Sequence, residues 1–223
     1  MSDFAARRGF AEPFTGPRGT VVRVASAAAK VSTRSGAGPS DAALVLEARA
    51  GAVWAQEALF RRYAPMVNGL AFRLLGRDSD LDDLVQESFT QALGSLQRLR
   101  SGETFAAWMS AIVVRTAHKL LRRRRLMTQL GLLRREPVDV EAMLARDTPQ
   151  DVVVELRVLY GLVERMPPEL RIPLLLRHLE DASLEEIAQL TGVSLATVKR
   201  RLTKAQTHLD EALQRERGTH AKR

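Results

Sequence analysis

The stretch from Ser183 to Leu209, SLEEIAQLTGVSLATVKRRLTKAQTHL, leaves this chain few folds to choose from. Ser183 is placed to N-cap a helix, and Glu186 three residues on completes a capping box. Leu184, Ile187, Ala188 and Leu190 then recur at helical spacing. Gly192 ends that helix by taking the left-handed conformation, and Ser194 caps the next one. Leu195, Val198, Leu202, Ala205 and Leu209 fall on one face of the second helix at about 100° per residue. Thr197, Arg200, Lys204 and Thr207 project from the other face, with Lys199, Arg201 and Thr203 on the flanks. Two helices joined by a short glycine-bearing turn, the second basic and outward-facing, predict a DNA-binding helix-turn-helix. The plainer reading is a surface helical hairpin whose cations are merely solvated.

The rest of the composition agrees with a helical, polyanion-binding chain. The 223 residues carry 34 Lys and Arg against 26 Asp and Glu, a formal charge of +8. Such a balance suits nucleic acid. Few aromatics and abundant Leu, Ala, Arg and Glu favour helix over sheet. There is no cysteine, so thiolate chemistry and disulfides are excluded, as befits a cytoplasmic protein. No apolar run reaches the roughly 20 residues of a membrane helix. Arg7-Arg8-Gly9-Phe10 faintly suggests a twin-arginine signal, but Arg23 and Lys30 interrupt the segment that would have to be apolar. Residues 1–39 are expected to be a disordered, basic tail.

Order is expected from Ser40, which caps DAALVLEARA with Leu44, Val45 and Ala48 inward. Gly51 breaks this helix. AVWAQEALFRRYAPMVNGLAFRLLG follows, with Trp54, Leu59, Phe60, Tyr63, Val67, Leu70, Ala71 and Leu74 as its apolar positions, a kink at Pro65 and a stop at Gly76. Asp78-Ser79-Asp80 opens the next helix, DLDDLVQESFTQALGSL. Leu81, Leu84, Val85, Ser88, Ala92 and Leu96 form its buried side; Asp83, Gln86, Glu87 and Thr90 form its exposed side. An acidic face in a basic protein is either ordinary solvated surface or a contact. A loop over 97–103 carries Arg98 and Arg100, and Thr104 caps TFAAWMSAIVVRTAHKLLRRRR, with Phe105, Trp108, Met109, Ile112 and Thr116 inward. Its terminal Arg122-Arg123-Arg124-Arg125 solubilises, complements the helix dipole or holds phosphates.

Residues 127–150 contain Gly131, Pro137 and Pro149 among acidic and short apolar pieces. They are expected to be a linker, with a transient helix at VEAML. The expected organisation is therefore all-α: a helical domain over 40–126, the linker over 127–150, and a helix-turn-helix domain over 151–214, ending in a frayed basic tail at 215–223. In the second domain QDVVVELRVLYGLVERM precedes PELRIPLLLRHLED, whose Leu170, Leu174, Leu175 and Leu179 pack on the helix-turn-helix. Pro173 should bend that helix or cost it a hydrogen bond. His118, His178, His208 and His220 have no metal-ligand spacing. No phosphate-binding or nucleophile motif occurs. The pairs Asp82-Asp83 and Glu185-Glu186 sit in first turns, where the helix dipole accounts for them. Neither an enzyme nor a cofactor is expected.

Laid out in this order, the chain resembles the extracytoplasmic-function (group 4) sigma factors of bacterial RNA polymerase, over about Asp41–Arg125 and Val152–Leu213. DLDDLVQESF is similar to the family's region 2.2, which docks on the clamp coiled coil of the polymerase β′ subunit; the resemblance implies a polymerase contact at Asp83, Gln86 and Glu87. FAAWMSAIVVRTAHKLLRRRR looks like regions 2.3 and 2.4, which open and read the −10 promoter element. That implies −10 contacts by Arg98, Arg100, Arg115, Lys119, Arg122, Arg123, Arg124 and Arg125, and a base held in the 97–103 loop. MPPELRIPLLLRHLEDASLEEIAQLTGVSLATVKRRL looks like region 4, which reads the −35 element. There the resemblance implies Ser194, Thr197, Lys199, Arg200, Arg201 and Lys204. Two departures bear on −10 preference: Val114-Arg115 replaces a customary Arg-Asn pair, and Lys119 stands where an acidic residue is common. The implied partners are core RNA polymerase (β′ clamp and β subunit), promoter DNA and an anti-sigma factor. The competing reading is a helix-turn-helix regulator that never joins polymerase; a purely protein-binding helical adaptor fits the basic face poorly.

Overall fold

The structure, a computed structural model, describes residues 38–76, 79–133 and 150–220. The tail up to residue 37, Asp78, the linker with VEAML and the last three residues lie outside the described residues. Among the described residues all regular structure is helical: α1 (Asp41–Arg49), α2 (Val53–Leu75), α3 (Leu81–Gly94), α4 (Phe105–Gln129), α5 (Gln150–Val163), α6 (Pro168–Leu179), α7 (Leu184–Thr191) and α8 (Leu195–His220). Two 3-10 turns, Leu96–Arg98 and Gly102–Thr104, join α3 to α4.

Helices α1–α4 form one bundle with α2 at its centre. The α2 stripe of Ala55, Leu59, Tyr63, Val67, Leu70, Ala71 and Leu74 is buried. Tyr63 ties three helices together: its hydroxyl donates to the Asp41 carboxylate at the start of α1, and its ring lies 4.8 Å from that of Phe105 on α4. Burial, then the bond to Asp41, pushes the Tyr63 phenol above its usual range. Trp54 and Phe60, expected inside, are 53% and 46% exposed. Each sits one residue, about 100°, away from the Ala55–Leu59 line that actually faces the core. Phe60 instead packs at a tilt against Phe89, which is buried and was missing from the expected α3 core (ring centroids 4.6 Å apart).

Neither internal proline breaks its helix. Pro65 is on the exposed side of α2, where water can take the bond it denies the Arg61 carbonyl. Pro173 denies one to Glu169, an exposed first-turn residue of α6. Helix α4 outruns its expected end, so residues 127–129 are helical rather than linker. Nothing stops it before Gly131, whose positive φ allows a Schellman closure: Leu132 N–H donates to the Met127 carbonyl (2.9 Å) and Gly131 N–H to that of Thr128 (3.1 Å). Helix α8 likewise continues past Gln214 to His220. Thr104 stands at the N-cap of α4, but its hydroxyl donates to the Ser101 carbonyl (2.8 Å) instead of accepting from the helix.

Helices α5–α8 form the second unit around α6, whose residues Leu170–Leu176 are all buried. The two units, expected as separate bodies on a linker, are packed together and share one apolar cluster. The α2 C-terminus shows why. A helix leaves its last four carbonyls without intrahelical partners. Here the Phe72 carbonyl accepts from Gly76 N–H (2.7 Å), and the other three are satisfied from across the seam. The Tyr160 hydroxyl donates to the Arg73 carbonyl (3.0 Å); Arg171, 2% exposed, donates from Nη2 to Leu74 and Leu75 (2.9 and 2.8 Å). A buried ion pair between Arg73 and Glu180 lies beside them. Burial raises the Tyr160 phenol above its usual range.

Candidate nucleic-acid interface

The helix-turn-helix is held by its own termini. Glu186 N–H donates to Ser183 Oγ (3.1 Å), and Ser183 N–H to Glu186 Oε2 (2.7 Å), closing the capping box. The backbone bond, then the Ser183 side chain, keeps the Glu186 carboxyl below its ordinary value. Gly192 has φ +69° and ends α7. Ser194 caps α8, accepting from Thr197 N–H at 3.3 Å, with the two hydroxyls 2.9 Å apart. Val198, Leu202, Ala205 and Leu209 are buried; Lys199, Arg200, Thr203, Lys204 and Thr207 are exposed. Thr197 is half-buried, its hydroxyl held by Ser194. The expected cationic face is therefore present, with one exception. Arg201 is half-buried, and its charge is felt at His118 on α4.

His118 lies at the junction of the two units. Burial pushes its imidazole below the usual value; Glu169 pulls the other way, and the Arg201 and Arg122 guanidinium groups add to the depression. On α4, Arg115, Lys119, Arg122 and Arg123 are exposed. The remaining two arginines of the run are engaged internally. Arg124 pairs with Asp80 and donates to Ser79 Oγ (3.1 Å), and Arg125 donates to the Arg165 carbonyl (3.4 Å). The sequence treated the four as equivalent; at 100° per residue they cannot all point the same way. Val114, at one of the unusual positions, is buried at 1% exposure and so packs in the core while Arg115 faces out.

The loop before α4 exposes Gln97, Arg98, Arg100, Ser101 and Glu103, while Leu96 and Leu99 anchor it in the core. On α3, Asp83, Gln86 and Glu87 are all exposed, on the side opposite buried Leu84, Val85 and Ser88. Sequence reasoning missed the seam residues Arg73, Tyr160, Arg171 and Glu180. A lone arginine in the apolar run LRIPLLL was the available signal, since a buried cation demands partners. Among the described residues no group of three or more His, Asp or Glu is placed to hold a metal, and no helix is long and apolar enough to cross a membrane.

Two family models match the chain: Sigma-70 region 2 over residues 59–126, and Sigma-70, region 4 over residues 156–209. The ECF RNA polymerase sigma-E factor of Haemophilus influenzae is 32% identical over 182 residues, covering 78% of this chain and 96% of that protein. RNA polymerase sigma factor SigV of Bacillus subtilis is 33% identical, over 61% of this chain and 77% of its own. ECF RNA polymerase sigma factor SigE of Mycolicibacterium smegmatis is 33% identical over 70% of this chain, which spans 60% of that relative. Two solved structures share the fold: the sigma factor RpoE with the anti-sigma factor NepR from Bartonella quintana (TM-score 0.54, 21% identity, 71% of this chain and 96% of that one), and CnrH with the cytosolic domain of CnrY (TM-score 0.50, 23% identity, 78% and 97%).

Proposed function

Given that this chain belongs to the extracytoplasmic-function sigma factors of bacterial RNA polymerase, we propose how its two helical units divide the work of starting transcription. The chain is a promoter-directing sigma factor, a family of initiation factors. Its part is non-enzymatic, and polymerase makes the bonds. The observation that carries the division is one of charge. The α1–α4 bundle exposes carboxylates on α3 and cations on α4, which suits one partner of each sign.

Asp83, Gln86 and Glu87 dock on the β′ clamp of core polymerase, with further contacts to β. Arg115, Lys119, Arg122 and Arg123 hold −10 phosphates, and the 97–103 loop holds a base extruded from the opened strand, a step costing a few kcal/mol that polymerase contacts offset. Arg98 and Arg100 hold the strand beside it. Helix α8 enters the −35 major groove with Arg200, Lys204 and Thr197 toward base edges, and Ser194 and Lys199 toward phosphate. Arg124 and Arg125 support the bundle and seam, so they act on DNA less directly than their neighbours. Arg201 reaches phosphate only after the seam opens.

That opening follows from length. The two promoter elements lie about 25 base pairs apart, roughly 85 Å at ~3.4 Å per pair. Helices α4 and α7 touch, so the units separate before both elements are read. The chain between Gln129 and Gln150 could span roughly 70 Å if extended at about 3.3 Å per residue, enough with the units' own width. An anti-sigma factor that stabilises the closed arrangement would silence the protein; one solved neighbour is the sigma factor RpoE in complex with the anti-sigma factor NepR. The direct test is retention on purified core polymerase, with Asp83→Arg expected to abolish it while the fold survives. Failure of the unaltered chain to bind core would favour an operator-binding regulator instead.

A further inference from the structure

Helix α1 has no part in the polymerase or DNA contacts described above, yet it is bound to the 97–103 loop by three independent means. The Arg49 guanidinium, half-buried at the end of α1, donates from Nε to the Leu96 carbonyl (3.1 Å) and from Nη2 to that of Leu99. The Gln97 side-chain amide returns a bond to the Arg49 carbonyl (3.1 Å). At the other end of the loop, Gly102 lies so close to α1 that a Cβ there would sit 2.5 Å from the Ala42 Cα. These contacts bracket the solvent-facing residues Gln97, Arg98, Arg100 and Ser101.

We propose that Arg49 is a positioning residue for −10 specificity, fixing through two carbonyls the loop that receives the extruded base; this rests on the reading of that loop given above. The physical reason is preorganisation. A site that reads a base discriminates only if its groups are held within about 0.5 Å of their working positions, and short loops do not hold themselves. A charged fork reaching two carbonyls three residues apart fixes both position and tilt. Leu96 and Leu99 fill the core beneath, so the loop can lose its register without the bundle losing its apolar centre.

The experiment measures promoter opening by reconstituted holoenzyme on duplexes varied at each −10 position, beside affinity for core polymerase and discrimination at −35. Arg49→Ala should cut the preference for the favoured −10 base at least about fivefold, the low end for a good pair of base contacts. Core affinity and −35 discrimination should stay unchanged. Arg49→Lys, which offers one point donor in place of the fork, should restore part of the preference. Gly102→Ala should mimic Arg49→Ala without removing charge, and it keeps the idea testable if Arg49→Ala folds poorly. Equal loss of preference at −10 and −35, or none with either variant, would overturn the inference. Arg98→Ala with Arg100→Ala serves as the separate arm. If those changes leave promoter opening unaffected, the reading of the loop itself is wrong; if they weaken opening on every −10 sequence while Arg49→Ala leaves the preference intact, only the role of Arg49 falls.

Discussion

Replacing Arg171 by Met tests the seam at its buried cation. Met conserves most of the side-chain length and the apolar burial, and removes the cation that holds the Leu74 and Leu75 carbonyls. Hydrogen bonds to charged groups contribute about 1.5–3 kcal/mol each. One nitrogen makes both bonds here, so their sum overstates the effect; about 2–4 kcal/mol for the pair is the working figure. Solvent screening takes little from it, because Arg171 is 2% exposed. In the open arrangement water can reach the two carbonyls, so the loss falls on the closed one. At about 1.4 kcal/mol per tenfold, the closed-to-open ratio should drop roughly 30- to 700-fold. The chain has no cysteine, which allows dyes at Ala107→Cys on α4 and Ala196→Cys on α8, both exposed. Energy transfer between them should fall in Arg171→Met, and binding to a promoter carrying both elements should tighten, since apparent affinity scales with the competent fraction. Circular dichroism should show helix content retained. Unchanged transfer with unchanged promoter affinity would refute the role of Arg171 in holding the seam closed.

Other outcomes follow from the same geometry. Arg200→Ala should relax −35 sequence preference, whereas Arg123→Ala should weaken promoters of all sequences alike and flatten the salt dependence of binding; matched promoter-variant titrations separate the two. Ile187→Ala, at a fully buried position of the helix-turn-helix, should cost about 2–5 kcal/mol, and Ser183→Ala about 1 kcal/mol, both read by thermal unfolding. Burial chiefly holds His118 and His178 below the ordinary imidazole value. The unfolded chain therefore takes up protons that the folded one refuses. Stability from these groups is present above about pH 6.5 and is lost as pH falls below it. Melting temperature measured from pH 8 to 5 should drop in that lower window, and less steeply in His118→Leu.

Helix identity was legible because each signal was local. The Ser183–Glu186 box, the Gly192 stop and the 3.6-residue apolar periods concern residues within one or two turns of each other, and the structure reproduces them. The exposed faces of α3 and α8 followed from the same arithmetic. What the sequence hid depends on distant partners. Arg124 differs from Arg123 only because Asp80 lies beside one of them. Phe89 is buried and Trp54 exposed because of where neighbouring helices lie. The closed seam joins Arg73, Tyr160, Arg171 and Glu180 across some hundred residues of chain, and no spacing rule reaches that far. Arg49 escaped for the same reason, its partners being two backbone carbonyls that a sequence does not display.

In the proposed mechanism one bundle docks on polymerase while both units aim it. Run-off transcription with core polymerase and this chain on fragments of its own genome, with start sites mapped, tests it most directly. Discrete starts preceded by shared −35 and −10 sequences, and lost with Asp83→Arg, are the expected result. Tight, specific binding to DNA without initiation from any bound fragment would contradict it.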